Sequence, residues 1–188
     1  MSATMDCSAN PFDNVLRAAV RALAEVVAPS VDASDPLAQE QLRLVCKFLE
    51  MIRQRVGFVA EFHRAKLTFA LDLAAAVSAH AGPCPEEVRE GLVAACRDAR
   101  PVRDAASTGA DMQAATARIE ALVSCVLRHA NGFEPQTRQA IERAVIEHSA
   151  RSIDLQRAWH APMGLDPDAA SVPRLAGALR TGTAAATA

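Results

Sequence analysis

The sequence predicts an all-α fold, a bundle of about five helices in which one helix is very long. After its first residue, the segment Pro36–His80 contains no proline and only one glycine, Gly57, and it carries apolar side chains at helical spacing. The chain is 51% hydrophobic and 4% aromatic, with many alanines and leucines, which are strong helix formers. Prolines and glycines divide the rest of the chain into helix-sized segments.

The long segment is either one continuous helix or two helices that meet at Gly57. A continuous helix of this length would span roughly 65 Å at 1.5 Å per residue. That exceeds the width of a compact domain of this size, so we expect the helix to protrude, to bend or to offer a long surface to partner helices.

Proline and glycine signals place the other helices. Asn10 before Pro11 and Asp35 before Pro36 combine a good N-cap residue with proline in the first turn. The further helices are predicted over about Glu86–Arg100, where Pro101 ends or kinks the helix, over about Asp111–Ala130, and from Pro135 onward. We expect one domain over residues 1–162 and a disordered or loosely docked tail over residues 163–188, which is rich in proline, glycine, alanine and threonine.

Charge and hydropathy argue against several classes of function. The net charge is −2 and lysines and arginines form no run, so the sequence predicts no nucleic-acid partner. The longest apolar run, Leu67–Ala79, contains Asp72 and is shorter than a membrane span. Without an export signal at the N-terminus, we expect a soluble cytoplasmic protein whose five cysteines are free thiols.

A heptad-like row of apolar residues runs along the long segment. Its members, at alternating steps of four and three, are Val45, Leu49, Ile52, Val56 and Val59. We predict that this row forms an interface with a second copy of the chain or with another protein.

Polar residues interrupt apolar positions in two helices. They are His63, Lys66 and Asp72 on the long segment and His148 on the last main helix. Buried ionisable groups usually persist only when they are paired or functional, so one hypothesis is a polar pocket between helices that binds a small apolar ligand. The alternative is structural: Asp72 pairs with an arginine, His63 and Lys66 reach the surface, and His148 bonds Ser152 or a backbone carbonyl.

Motifs that would define an enzyme or a metal centre are missing. The sequence has no phosphate-binding glycine loop, no nucleophile elbow and no Glu-x-x-His pair of the di-iron bundles. Cys125 and His129 lie four residues apart on one helical face, but a closed zinc site needs four ligands. We predict no catalytic residue, no metal and no cofactor.

Two N-terminal stretches, EVVAPSV at residues 25–31 and DPLAQEQLRLVCKFLEMIRQRV at residues 35–56, carry a resemblance. They are similar in spacing and composition to a group of small all-helical bacterial proteins of unknown function. Members of that group accompany acyl-CoA dehydrogenase-like and aminoglycoside-phosphotransferase-like proteins. The resemblance implies no functional residue.

Two functions remain open on these grounds. The first is a non-catalytic accessory module that self-associates, as a homodimer, or binds another protein. The second is a bundle, or an enzyme, that holds a small acyl or other apolar ligand between its helices.

Overall fold

A computed structural model describes residues 12–180, and it confirms the all-α prediction, since these residues form helices and no strand. Seven α-helices lie in this range. They are α1 (Asp13–Ala22), α2 (Pro36–Arg55), α3 (Val59–Ser78), α4 (Glu86–Asp104), α5 (Gly109–Ala130), α6 (Pro135–His160) and α7 (Leu175–Arg180).

The long segment is helical over 43 residues, Pro36–Ser78, and a 3₁₀ turn at Val56–Phe58 separates α2 from α3. Gly57 is the middle residue of this turn. Glycine is a poor helix former because it loses the most backbone freedom on ordering, which explains why the regular α-helix is interrupted here.

Packing divides the described chain into two compact units. The first contains residues 12–58 and 159–170, and the second contains residues 59–158 and 171–180. The prediction of one domain over residues 1–162 stays a prediction, because two compact units can belong to one domain or to two.

The second unit holds the apolar core. Side chains of α3, α4 and α5 form its centre, and α6 adds Ile141. The largest fully buried members are Leu67, Val77, Leu92, Met112, Ile119, Val126 and Ile141. Between them lie buried alanines such as Ala74, Ala95 and Ala99, whose small side chains let helices approach closely.

The first unit is a hairpin of α1 and α2 with little buried apolar surface. An ion pair between Asp13 at the start of α1 and Arg53 near the end of α2 shows that the two helices run antiparallel. Neither helix contains a fully buried residue. Among the described residues of this unit, only Met163 is buried.

Of the two alternatives that the sequence left for Pro101, an end or a kink of the helix, the structure excludes the first, because α4 continues to Asp104. The proline lies in the last turn, where only one hydrogen bond is lost and the freed carbonyl can face water.

The chain after Pro162 includes short helical pieces in the part of it that the structure describes. Met163 is buried in the first unit, and Ala178 of α7 is buried in the second, where α7 packs on α3. Residues 181–188 lie outside the described range, and the tail prediction for residues 163–188 stays a prediction.

Within residues 12–180, no helix combines the length and the apolar character that crossing a membrane requires. The four cysteines in this range are free thiols, and Cys7 lies outside it. Burial raises the pKa of the Cys84 and Cys96 thiols, so both favour the neutral form that packs as a small apolar side chain.

Candidate functional site

The most prominent surface feature of the first unit is an exposed row of apolar side chains on α2. The helix begins at Pro36, and the carboxylate of its N-cap residue, Asp35, accepts a hydrogen bond of 2.9 Å from the Ala38 N–H. From there, apolar residues recur on one face at steps of about one or two turns. We call this face the α2 row: Leu37 (69% exposed), Val45 (44%), Phe48 (49%) and Ile52 (43%), with Gln41 between the first two.

Polar contacts join α2 to α1 and to the residues 159–163 of the same unit. Arg53 pairs with Asp13 of α1 at 2.7 Å and with Glu50 of its own helix at 2.6 Å. Lys47 donates to the Met163 carbonyl at 3.4 Å, and Arg55 donates to the Trp159 carbonyl at 3.0 Å. These contacts position α2, yet they leave its apolar row open to water.

The five predicted interface residues do not share one exposed face. Val45 and Ile52 belong to the exposed α2 row, whereas Leu49 and Val56 are half-buried. Val59 is 38% exposed and begins α3 in the second unit. The interface itself stays a prediction.

Sequence reasoning missed Leu37 and Phe48 as surface residues. The signal was present, since residues 37, 41, 45, 48 and 52 follow each other at steps of four and three, the spacing of one helical face. The heptad count instead followed Leu49 and Val56, which lie beside this face.

The ion pairs of Arg53 make the first unit sensitive to acid. Hydrogen bonds from Arg53 and then from Gln54 lower the pKa of Glu50 from 4.5 to about 2. A carboxylate whose pKa falls on folding stabilises the fold above its unfolded pKa, and this stability is lost as the pH falls through the folded pKa.

We therefore expect Glu50→Gln to lower the free energy of unfolding at pH 7 and to have little effect near pH 2. Because 37% of the Glu50 side chain is exposed, solvent screening limits the loss to about 1 kcal/mol. Urea unfolding of both proteins at several pH values between 7 and 2 measures it, with Glu147→Gln, an exposed carboxylate of α6, as the matched control. An equal loss at pH 7 and at pH 2 would contradict the ion-pair explanation.

His63 and Lys66 lie together at a small polar groove between α3 and α5. The groove has a volume of about 130 Å³, and its lining residues are His63, Lys66, Gln113, Thr116, Ala117 and Glu120. A side chain on Gly109, the first residue of α5, would lie 3.1 Å from Cδ2 of His63, so the imidazole packs closely on that helix end. Burial lowers the pKa of His63, and the nearby Lys66 ammonium lowers it further, which favours a neutral imidazole at pH 7.

Asp72 has an arginine partner on another helix. Its Oδ2 atom is buried and lies 3.0 Å from Nη2 of Arg151 on α6, at ion-pair distance without the alignment of a directed hydrogen bond. The Arg151 guanidinium also lies 5.2 Å from the centre of the Phe69 ring, in cation–π geometry. These contacts give Asp72 a structural role.

His148 is tied to its own helix, because its Nδ1 lies 2.9 Å from the carbonyl oxygen of Ala144. A protonated Nδ1 donates this bond. Among residues 12–180, no hydrogen bond or ion pair joins His63 or Lys66 to Asp72 or His148. The polar-pocket hypothesis stays a prediction, and the groove at His63 is smaller than the roughly 300 Å³ at which ligand pockets usually begin.

The Cys125–His129 pair is also local. His129 Nδ1 lies 2.9 Å from the Cys125 carbonyl oxygen and 4.0 Å from its sulfur. Over residues 12–180, no three histidine, cysteine, aspartate or glutamate side chains are grouped so that they could hold a metal ion.

Fold and surface together define an all-α protein that carries an exposed apolar helix face on α2. Comparison of the chain with protein-family models, with curated proteins and with solved structures found no match. The resemblance to small all-helical bacterial proteins therefore stays a prediction.

Proposed function

We propose that this chain is a non-catalytic interaction module that self-associates through the α2 row. The single observation that carries the proposal is the exposure of Leu37, Val45, Phe48 and Ile52 on a helix that contains no buried residue. Monomeric proteins rarely leave contiguous apolar patches of more than a few hundred Å² in contact with water.

Energetics favour a covered α2 row. Removal of apolar surface from water contributes about 25 cal/mol per Å², and a side chain such as Phe48, half exposed in the free unit, would gain from burial against a partner. Further apolar side chains of the same unit, Phe12, Val15 and Val26 on or next to α1, are also exposed. A specific complex buries roughly 800 Å² per partner.

Binding of a small molecule at His63, Lys66, Asp72 and His148 is the weaker candidate. The groove at His63 is small, and Asp72 and His148 have contacts that explain their positions without a ligand. By contrast, the apolar side chains of the α2 row remain exposed in the described chain, which a partner would explain.

The proposal predicts that Val45→Glu combined with Ile52→Glu abolishes association. Both side chains are already exposed in the free chain and glutamate is a good helix former, so the variant should fold. Burying an unpaired carboxylate in an interface costs several kcal/mol, and each 1.4 kcal/mol is about tenfold in affinity, so we expect association weaker by roughly 100-fold or more.

Native mass spectrometry and sedimentation equilibrium of the full chain measure the effect. Val93→Glu is the matched control, because Val93 is 63% exposed on α4 of the second unit and should leave the assembly intact. A wild type that stays monomeric at high micromolar concentration would sink the proposal.

A further inference from the structure

The α2 row is nearly symmetric about Val45. Leu37 lies eight positions before Val45 and Ile52 seven positions after it. Between these residues, Gln41 lies four positions before Val45 and Phe48 three positions after it. A helix face with this spacing matches its own reverse: turned end for end, Leu37 comes opposite Ile52 of a second copy, and Gln41 comes opposite Phe48.

Charges along α2 distinguish the two possible directions of a partner helix. The pairs Glu40–Arg43 and Glu50–Arg53 lie within the helix and cancel locally. Outside these pairs, the helix and the turn before it carry carboxylates at the start, Asp32 and Asp35, and cations in the second half, Lys47 and Arg55.

A parallel pair would place the acidic starts of two helices side by side and the two basic ends side by side. An antiparallel pair places each acidic start beside a basic end, and the helix dipole, positive at the acidic start and negative at the basic end, only partly offsets these charges. Exposed charges of this kind contribute little to affinity, but they select orientation and register.

Resting on the proposed self-association, we infer that two copies of this chain pair through α2 in antiparallel orientation, with a two-fold axis beside Val45. Such an interface is closed, since residue i of one copy contacts residue j of the other and j contacts i. The whole α2 row lies in this interface, so the assembly is complete with two copies.

Photo-crosslinking of the full chain tests the orientation. We would place p-benzoylphenylalanine at position 37, irradiate, isolate the covalent dimer and map the crosslink after trypsin digestion. The antiparallel pair predicts attachment to the partner's peptide Phe48–Arg53, which contains Ile52. The same probe at position 93 of α4, an exposed valine in the second unit, should give no covalent dimer.

The possible results distinguish the antiparallel pairing from self-association itself. A covalent dimer joined through residues 22–43 of both copies would show parallel helices, and it would overturn the antiparallel pairing while self-association stands. A dimer by native mass spectrometry that does not crosslink from position 37 would also overturn it, since position 37 then lies outside the interface. A monomeric wild type would overturn both.

Discussion

Ile119→Ala is expected to lower the free energy of unfolding by about 2–5 kcal/mol, the range for removing a large aliphatic side chain from a core. Ile119 of α5 is fully buried, and it belongs to the cluster formed with Leu67, Leu92 and Met112. Surrounding helices cannot close the space completely, so the lost contacts add to the lost transfer free energy.

The matched control is Ile146→Ala on α6, since Ile146 is 72% exposed. Alanine is the better helix former, so we expect a change within about 0.5 kcal/mol. Urea unfolding followed by circular dichroism measures both variants. Similar losses at the two positions would mean that α3, α4 and α5 do not enclose Ile119 as described.

Ala74→Leu is expected to destabilise the second unit by about 1–3 kcal/mol, the usual cost of added methylenes in a packed core. Ala74 is fully buried on α3 in the cluster with residues of α4 and α5. A leucine there must either push these helices apart or adopt an unfavourable rotamer.

Its neighbour Ala75 provides the control, because this residue is exposed on the same helix. Leucine is nearly as good a helix former as alanine, so Ala75→Leu should change the free energy of unfolding by less than about 0.5 kcal/mol. Thermal unfolding of the two variants compares them directly. Equal melting temperatures would contradict the close packing at Ala74.

The candidate surface could be predicted from the sequence only in part. Periodicity predicted an apolar row on the long segment, and Val45 and Ile52 are indeed exposed on α2. The same count included Leu49 and omitted Phe48, because a repeat of 3.5 residues does not say which side of a helix its neighbour covers. Both α1 and the segment Ala161–Met163 pack on α2, and their positions determine that side.

The environments of the polar residues could also be predicted only in part from the sequence. Their mismatch with apolar positions was visible in the sequence, and an arginine partner for Asp72 was one of two alternatives. That the partner is Arg151, on a helix about 80 positions further along the chain, depends on how α3 and α6 pack. For His148, the bond to Ala144 is local, one helical turn away, and the sequence alternatives included a backbone carbonyl.

Local sequence was enough to predict the helical class, the start of α2 at Asp35 and Pro36 and the apolar repeat along α2, but it left open whether the long segment is interrupted at Gly57. These features depend on propensity, capping and side-chain spacing, which act over a few neighbouring residues. The burial of Ala74 beside an exposed Ala75, and the open apolar row on the hairpin of α1 and α2, follow instead from how the helices pack. Burial depends on surfaces brought together from distant parts of the chain, and local spacing carries no record of which face a distant helix will cover.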